Sequence, residues 1–361
     1  MAQNNKKNDY IELLRFVAAF VVCSYHIFKN FTQGFIMVEF FFILTGYFTM
    51  KHLKEKNIQN KAAYPFTYTI KKFSKILPFT MISTAFAYYQ IVLFYNLDKA
   101  AAWKLIGYLP GSMFLLQFTG AMPNNVVVAG NYAVQYQMSG ILWYIMALFV
   151  ALPVMVMLVI WLDDKIGLWM VTFLPLLLYG IIIHGDVTLN GWHEAHNVYL
   201  YSDIRALAGL FMGGAVYYLS HWWGKREYTI AGKLGITVIE LATMIGVILY
   251  AWRVSGPYDV EIVLLMVISL SITTSGKSYT SLIHSGVLRF LGTLSLPIYC
   301  FHVQVNEMLC YFNIEFPENM EAVYKFLIIL AVAAIIWLIV EGLTRLMKRI
   351  GSNMKKIFVA G

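Results

Sequence analysis

Ten apolar windows of membrane-spanning length follow one another along this chain with little polar sequence between them. That succession limits the fold more than any other feature. A bilayer core about 30 Å thick admits only elements that satisfy their own backbone hydrogen bonds, and a helix crosses it in about 20 residues. The windows run approximately over residues 11–28, 34–50, 79–96, 137–161, 167–183, 204–222, 234–251, 260–274, 288–309 and 322–343. They predict an all-α polytopic membrane protein, a single bundle of about ten transmembrane helices, with residues 1–361 forming one integral membrane domain. A content of 60% hydrophobic and only 13% charged residues leaves too little polar surface for a separate soluble domain. The polar start, with Lys6 and Lys7, leads into an apolar run without a small-residue cleavage pattern, so the first span is expected to remain in the mature chain.

Charge sets the expected orientation. With the N-terminus inside, twenty of the 27 Lys and Arg residues fall on the cytoplasmic side and six on the other, with Arg15 left inside the first span. The positive-inside rule therefore predicts that both termini are cytoplasmic. Because the basic residues cluster at the ends of apolar segments, the net charge of +8 is a topology signal, and no nucleic-acid-binding module is present. Cys23, Cys300 and Cys310 are too few and too scattered for a disulfide framework or a thiolate metal site, and are expected to be buried small hydrophobes. Segment 51–75 mixes lysines with Tyr64, Phe66 and Tyr68 and suits an anionic leaflet. Segment 99–131, broken by Pro110 and Gly111, is expected to be interfacial or re-entrant. Segment 184–203 has the aromatic and polar composition of carbohydrate-facing surfaces and also of ordinary membrane interfaces. No internal repeat is present, which weighs against an inverted-repeat transporter.

Ionisable groups inside spans are costly, so each one is a functional candidate. Arg15 lies about one turn from the inner end of the first span and His26 near its outer end. Eleven steps of about 100° return the helix to within roughly 20° of its starting face, and at about 1.5 Å each they separate the two residues by roughly 16 Å. Arg15 and His26 thus share one stripe. A guanidinium suits phosphate, and an imidazole can exchange a proton near neutrality. The alternatives are a snorkelling Arg15 balanced by Glu12, three residues earlier on the same face, and a packed histidine. His193, Glu194 and His196 do not match the order of a zinc-protease helix, and no metal site is expected. Glu240 is either a proton carrier or a structural hydrogen-bonding group. Gly213 and Gly214 fit close helix packing.

The order Arg15, ten residues, His26, followed by Val38-Glu39-Phe40-Phe41-Phe42-Ile43-Leu44-Thr45-Gly46-Tyr47, resembles the signature of the acyltransferase 3 family of membrane acyltransferases. Further similarities are the stretch from Lys72 to Pro78, Leu142-Trp143-Tyr144, the stretch from Asp203 to Gly214, and Leu291-Gly292-Thr293-Leu294-Ser295 with Tyr299 and His302. The resemblance implies ten helices and transfer of an acyl group, usually acetyl, from cytosolic acyl-CoA to an acceptor at the outer face. It assigns essential roles to Arg15 and His26. It places Glu39 beside the histidine or opposite a cation, where Asp is more usual, and Thr45 where Ser is more usual. Lys72 and Lys75 stand where arginines are common, which leaves point charges without forked phosphate recognition. Acceptor-side or supporting roles are implied for Thr45, Trp143, Tyr144, Asp203, Arg205 and His302.

These observations lead to the expectation of an inner- or plasma-membrane O-acyltransferase, most simply an O-acetyltransferase. It would act on a cell-surface or exported polysaccharide or its lipid-linked precursor, alongside polysaccharide synthesis machinery. Arg15, Lys72 and Lys75 would hold acetyl-CoA as donor substrate, with no resident cofactor. His26 would act as general base, with Glu39 setting its tautomer. The competing expectation is an exporter of polysaccharide or lipid-linked sugar that performs no acyl chemistry.

Overall fold

The computed structural model describes residues 8–116, 125–127, 133–135, 139–162, 164–186, 188–190, 195–196, 199–253 and 256–360. Ten long helices dominate: α1 (Asp9–Ile27), α2 (Met37–Glu55), α4 (Leu77–Phe94), α7 (Trp143–Trp161), α8 (Asp164–Asp186), α9 (Tyr201–Gly224), α10 (Ile230–Arg253), α11 (Asp259–Ser275), α12 (Gly286–Tyr311) and α13 (Glu321–Ala360). Three shorter helices, α3 (Tyr64–Phe73), α5 (Lys99–Ile106) and α6 (Leu109–Met113), lie between them. Each apolar window coincides with one long helix. Eight of these helical segments are long and apolar enough to cross a membrane; α9 and α11 complete the ten. Two short antiparallel ribbons pair residues 125–127 with 133–135 and 195–196 with 199–200.

Successive long helices alternate in direction. At the near end, which carries residue 8, Asn8 Nδ2 donates to Thr273 O at 3.1 Å and Ser285 N donates to Asp9 Oδ2 at 2.7 Å, joining α1 to α11 and α12. At the far end, Gln33 N donates to Ala251 O and Leu189 N to Asp259 Oδ2. With ten passes, the last helix returns to the near end. Helix α9 is the hub of one group, packing on α2, α7, α8 and α11, while α12 lies against α1, α4 and α13. The α2–α9 crossing depends on absent side chains: a Cβ on Gly46 would collide with the backbone of Leu210, and one on Gly213 with the backbone of Ile43 and Tyr47.

Some expectations need correction and others become more specific. Helix α7 begins at Trp143 after a 3₁₀ turn over Gly140–Leu142, not at residue 137, because Ser139 adopts a left-handed backbone (φ 59°) that a helix cannot contain. Residues 137–138 lie outside the described residues. Helix α13 continues far past the apolar window, since the basic sequence after Leu343 keeps good helix formers. Cys23 and Cys300 are buried, but Cys310 is exposed. Segment 64–73 folds as an amphipathic helix. It buries Pro65, Thr69 and Phe73, the last packing on Phe149, and leaves Phe66 and Ile70 exposed one turn apart. In segment 99–131, α5 and α6 are too short to span and pack against α4 around Ala87, Ala101 and Leu105. His193 and Glu194 lie outside the described residues. Glu240 is held structurally, accepting from Thr273 and Thr280 at 2.5 and 2.8 Å.

Candidate functional site

Helix α1 starts from Asn8, whose side chain accepts from Tyr10 N and caps the first turn, and it runs into an apolar segment interrupted by Glu12 and Arg15. Arg15 Nη1 pairs with Glu12 Oε2 at 2.7 Å; the guanidinium is half-buried and the carboxylate buried. This contact is the i, i+3 balance expected from the sequence. The ion pair sits where α12 comes closest, because a Cβ on Gly292 would occupy the space taken by the Glu12 side chain. Arg15 also lies within electrostatic reach of Tyr144.

At the far end of the same helix, His26 is exposed and its ring lies 5.2 Å from that of His302, centroid to centroid. His302 is fully buried. Its Nδ1 faces two backbone carbonyls, Ile298 O at 3.1 Å and Tyr299 O at 2.9 Å. Only a protonated Nδ1 can donate to them, so the neutral ring keeps its lone pair on Nε2, which has no partner among the described residues. The sequence marks His302 as a candidate but says nothing of its tautomer, which follows from the helical carbonyls behind it.

Aromatic rings connect the two ends of the stripe. Tyr299 lies 6.1 Å from His302 and 5.4 Å from Tyr144, and its hydroxyl donates to Ile141 O. Tyr144 packs on Phe42 at 4.6 Å and interacts with Thr45. His26 meets this row of rings through His302, whereas Arg15 is held by Glu12 where α12 passes α1.

Of the two places the resemblance allows Glu39, beside the histidine or opposite a cation, the structure shows the second. Its carboxylate is completely buried, with Oε1 accepting from Arg205 Nε at 2.9 Å and Oε2 from the Tyr179 hydroxyl at 2.6 Å. It makes no hydrogen bond to His26, so it does not set that tautomer. The reason is register: the Gly46–Gly213 crossing brings α9 against α2 and places Arg205 beside Glu39. The Arg205 guanidinium also lies 5.1 Å over the Trp143 ring. Glu39, Arg205 and Trp143 thus form one buried group beside Tyr144, joined by Tyr179, which the sequence did not single out. Asp203 lies partly buried in the first turn of α9, two residues before Arg205.

The near end has its own polar cluster. Lys72 Nζ donates to Thr49 Oγ1 at 3.2 Å and lies 5.6 Å over the Tyr68 ring, and the Tyr68 hydroxyl donates to the same Thr49 oxygen. His52 stacks on Tyr68 and meets the Tyr64 hydroxyl at 2.8 Å. Burial, reinforced by the charge of Lys75, draws the Lys72 ammonium down to about 8. Lys75 itself is exposed. Thr49, His52 and Tyr68 have no motif that sequence could have flagged; only the fold-back of α3 onto α2 brings them to Lys72. Among the described residues, no group of three or more His, Cys, Asp and Glu is arranged to hold a metal.

The arrangement offers a cation at one end of a stripe, two adjacent imidazoles at the other, and a buried polar group between neighbouring helices. Comparison with curated proteins and with solved structures finds no match. A family model described as an acyltransferase domain, that of acyltransferase 3, matches residues 8–341, nearly the whole chain. With eight helices able to cross a membrane and this family match, the chain belongs to the acyltransferase 3 family and is a multi-pass membrane acyltransferase.

Proposed function

We propose that the protein transfers an acyl group, most simply acetyl, from acyl-CoA at the near end to a hydroxyl of a cell-surface or exported glycan, or of its lipid-linked precursor, at the far end. The near end is then cytoplasmic and both termini lie there. The observation that carries this is the adjacent ring pair of His26 and His302 at the far end of the helix whose near end bears Arg15. Arg15, Lys72 and Lys75 supply positive charge for the donor's phosphates, and the aromatic wall from Tyr144 to Tyr299 marks the path for its thioester arm.

In the chemical step, an imidazole takes the proton of the acceptor hydroxyl while its oxygen attacks the thioester carbonyl carbon. The new C–O bond forms, the C–S bond breaks, and the CoA thiolate leaves and takes up a proton from the imidazolium. His26 is the exposed ring that meets the acceptor. His302, with Nε2 unprotonated and Nδ1 anchored, fits a partner that accepts from His26 or from the incoming hydroxyl. Glu39, through Arg205 and Trp143, positions the wall and stays out of the proton transfer. Membranes containing the protein should transfer label from acetyl-CoA to a glycan acceptor. Transport without acylation, abolished by Arg15→Ala and His26→Ala, would show an exporter instead.

A further inference from the structure

A cavity of about 600 Å³ lies at the far end between α4 and α12, in the range typical of small-ligand sites. It stands beside the histidine pair without including it. Asn306, on its wall, is one helical turn beyond His302, roughly 6 Å along the axis. Ile141, also on its wall, is the residue whose carbonyl receives the Tyr299 hydroxyl.

Its polar wall is fixed in a one-sided way. Gln304 Nε2 donates to Ser83 O at 2.9 Å and Ser83 Oγ at 3.1 Å, so an amide flip would set two oxygens against each other. Gln90 Nε2 donates to Gln304 O, and Ser83 Oγ meets Ser139 Oγ and Cys300 O. Both hydrogens of the Gln304 amide nitrogen are thereby used. Gln304 Oε1 and Asn306 Oδ1 are left buried with no donor among the described residues, a condition that costs about 1–3 kcal/mol per group. Glu307 adds a carboxylate, and among the described residues no Lys or Arg lines the cavity. The remaining lining is part aliphatic, with Ala87, Ile91, Ile141 and Val303, and part aromatic: Phe94 and Tyr311 stack at 4.7 Å, and Tyr95 is exposed beside them.

A ligand for this wall must bring hydroxyl or amino donors and C–H faces, and must carry no acidic group. We infer that the cavity binds a neutral or amino sugar ring and holds the acceptor glycan with a hydroxyl directed toward His26 and His302. The assignment rests on the acyl transfer to glycan proposed above. It goes further by excluding acidic sugars, nucleotides and phospholipid head groups from this site.

Cys310 provides a reporter, because it lines the cavity and is exposed while Cys23 and Cys300 are buried. The rate of maleimide alkylation at Cys310 is measured on the full-length protein in a detergent without a sugar head group. The probes are neutral gluco-, galacto- and N-acetylglucosamine oligosaccharides, with oligoglucuronate and a short-chain phosphatidylglycerol as acidic controls. At least one neutral series should slow alkylation fivefold or more and the controls should not. Tyr95→Ala and Glu307→Gln, which alter exposed lining groups outside the hydrogen-bond network, should shift the protecting concentration upward about tenfold. The sugar-free alkylation rate and the melting temperature should not change. Absence of protection by any neutral series, equal protection by oligoglucuronate, or unshifted protection in both variants overturns the assignment. If protection behaves as stated but acetyl-CoA transfers nothing to any glycan, the cavity stands and the acyl-transfer proposal falls. If transfer is measured and both variants keep the wild-type acceptor KM, the transfer proposal stands and the cavity assignment falls.

Discussion

Two residues of the site, Arg15 and His26, were legible in the sequence because helical geometry alone places them on one stripe, whatever surrounds them. The Glu12 partner of Arg15 was legible for the same reason, but the buried ion pair between α2 and α9 was not. Glu39 and Arg205 are 166 positions apart, and no periodicity announces which cation will reach a buried carboxylate first. Breaking that pair leaves an uncompensated buried charge, which typically costs about 3–5 kcal/mol. Arg205→Met should therefore lower the melting temperature of the purified protein sharply, and Glu39→Gln/Arg205→Met should recover part of the loss. A double variant no more stable than Arg205→Met would show that the two groups act separately. His302→Ala should reduce kcat about 10²-fold, within the range usual for loss of a general acid–base group, with little change in the acyl-CoA KM. A folded variant with wild-type kcat would reduce His302 to packing. For Lys72 the sign is fixed by its lowered value of about 8. The ammonium is charged below that pH and neutral above it, so kcat/KM for acyl-CoA should fall as pH rises through about 8. Lys72→Arg, which stays charged, should flatten that limb; a limb that persists unchanged in Lys72→Arg assigns it to another group.

The helices were readable because each long element carries enough apolar residues to announce itself. Their contacts were readable only where glycine marks close approach. Gly46→Ala or Gly213→Ala would push a methyl into facing backbone and should shift the purified protein from a single monodisperse peak to aggregate in size-exclusion chromatography. Gly235→Ala, which meets nothing within 4 Å, should leave that peak unchanged. Equal behaviour of the three variants would contradict the crossing described for α2 and α9. The start of α7 was misplaced because the window was opened at Gln137, ahead of Ser139 and Gly140, whereas the backbone turns at Ser139 and the helix begins after it. The roles of α3, α5 and α6 depend on which neighbours they fold back against, and composition does not record that.

For the molecule as a whole, an even number of passes was visible in the succession of apolar windows, while the row of Tyr144, Tyr299, His302 and His26 was visible only once α1, α7 and α12 were packed. With the near end cytoplasmic, tags at both termini should react with antibody only after permeabilisation of cells, and Cys310 should react with a membrane-impermeant maleimide in intact cells whose outer barrier has been opened. Reaction of either tag without permeabilisation would invert the proposed orientation. The central claim is that the two ends of one stripe on α1 serve a single acyl transfer. It is tested most directly by acetyl-CoA-dependent labelling of glycan in membranes containing the wild type, Arg15→Ala or His26→Ala, at matched amounts of folded protein. The account predicts labelling by the wild type, a rise in acetyl-CoA KM for Arg15→Ala, and a loss of kcat of about 10²-fold or more for His26→Ala. Labelling by both variants at the wild-type rate and KM would contradict it.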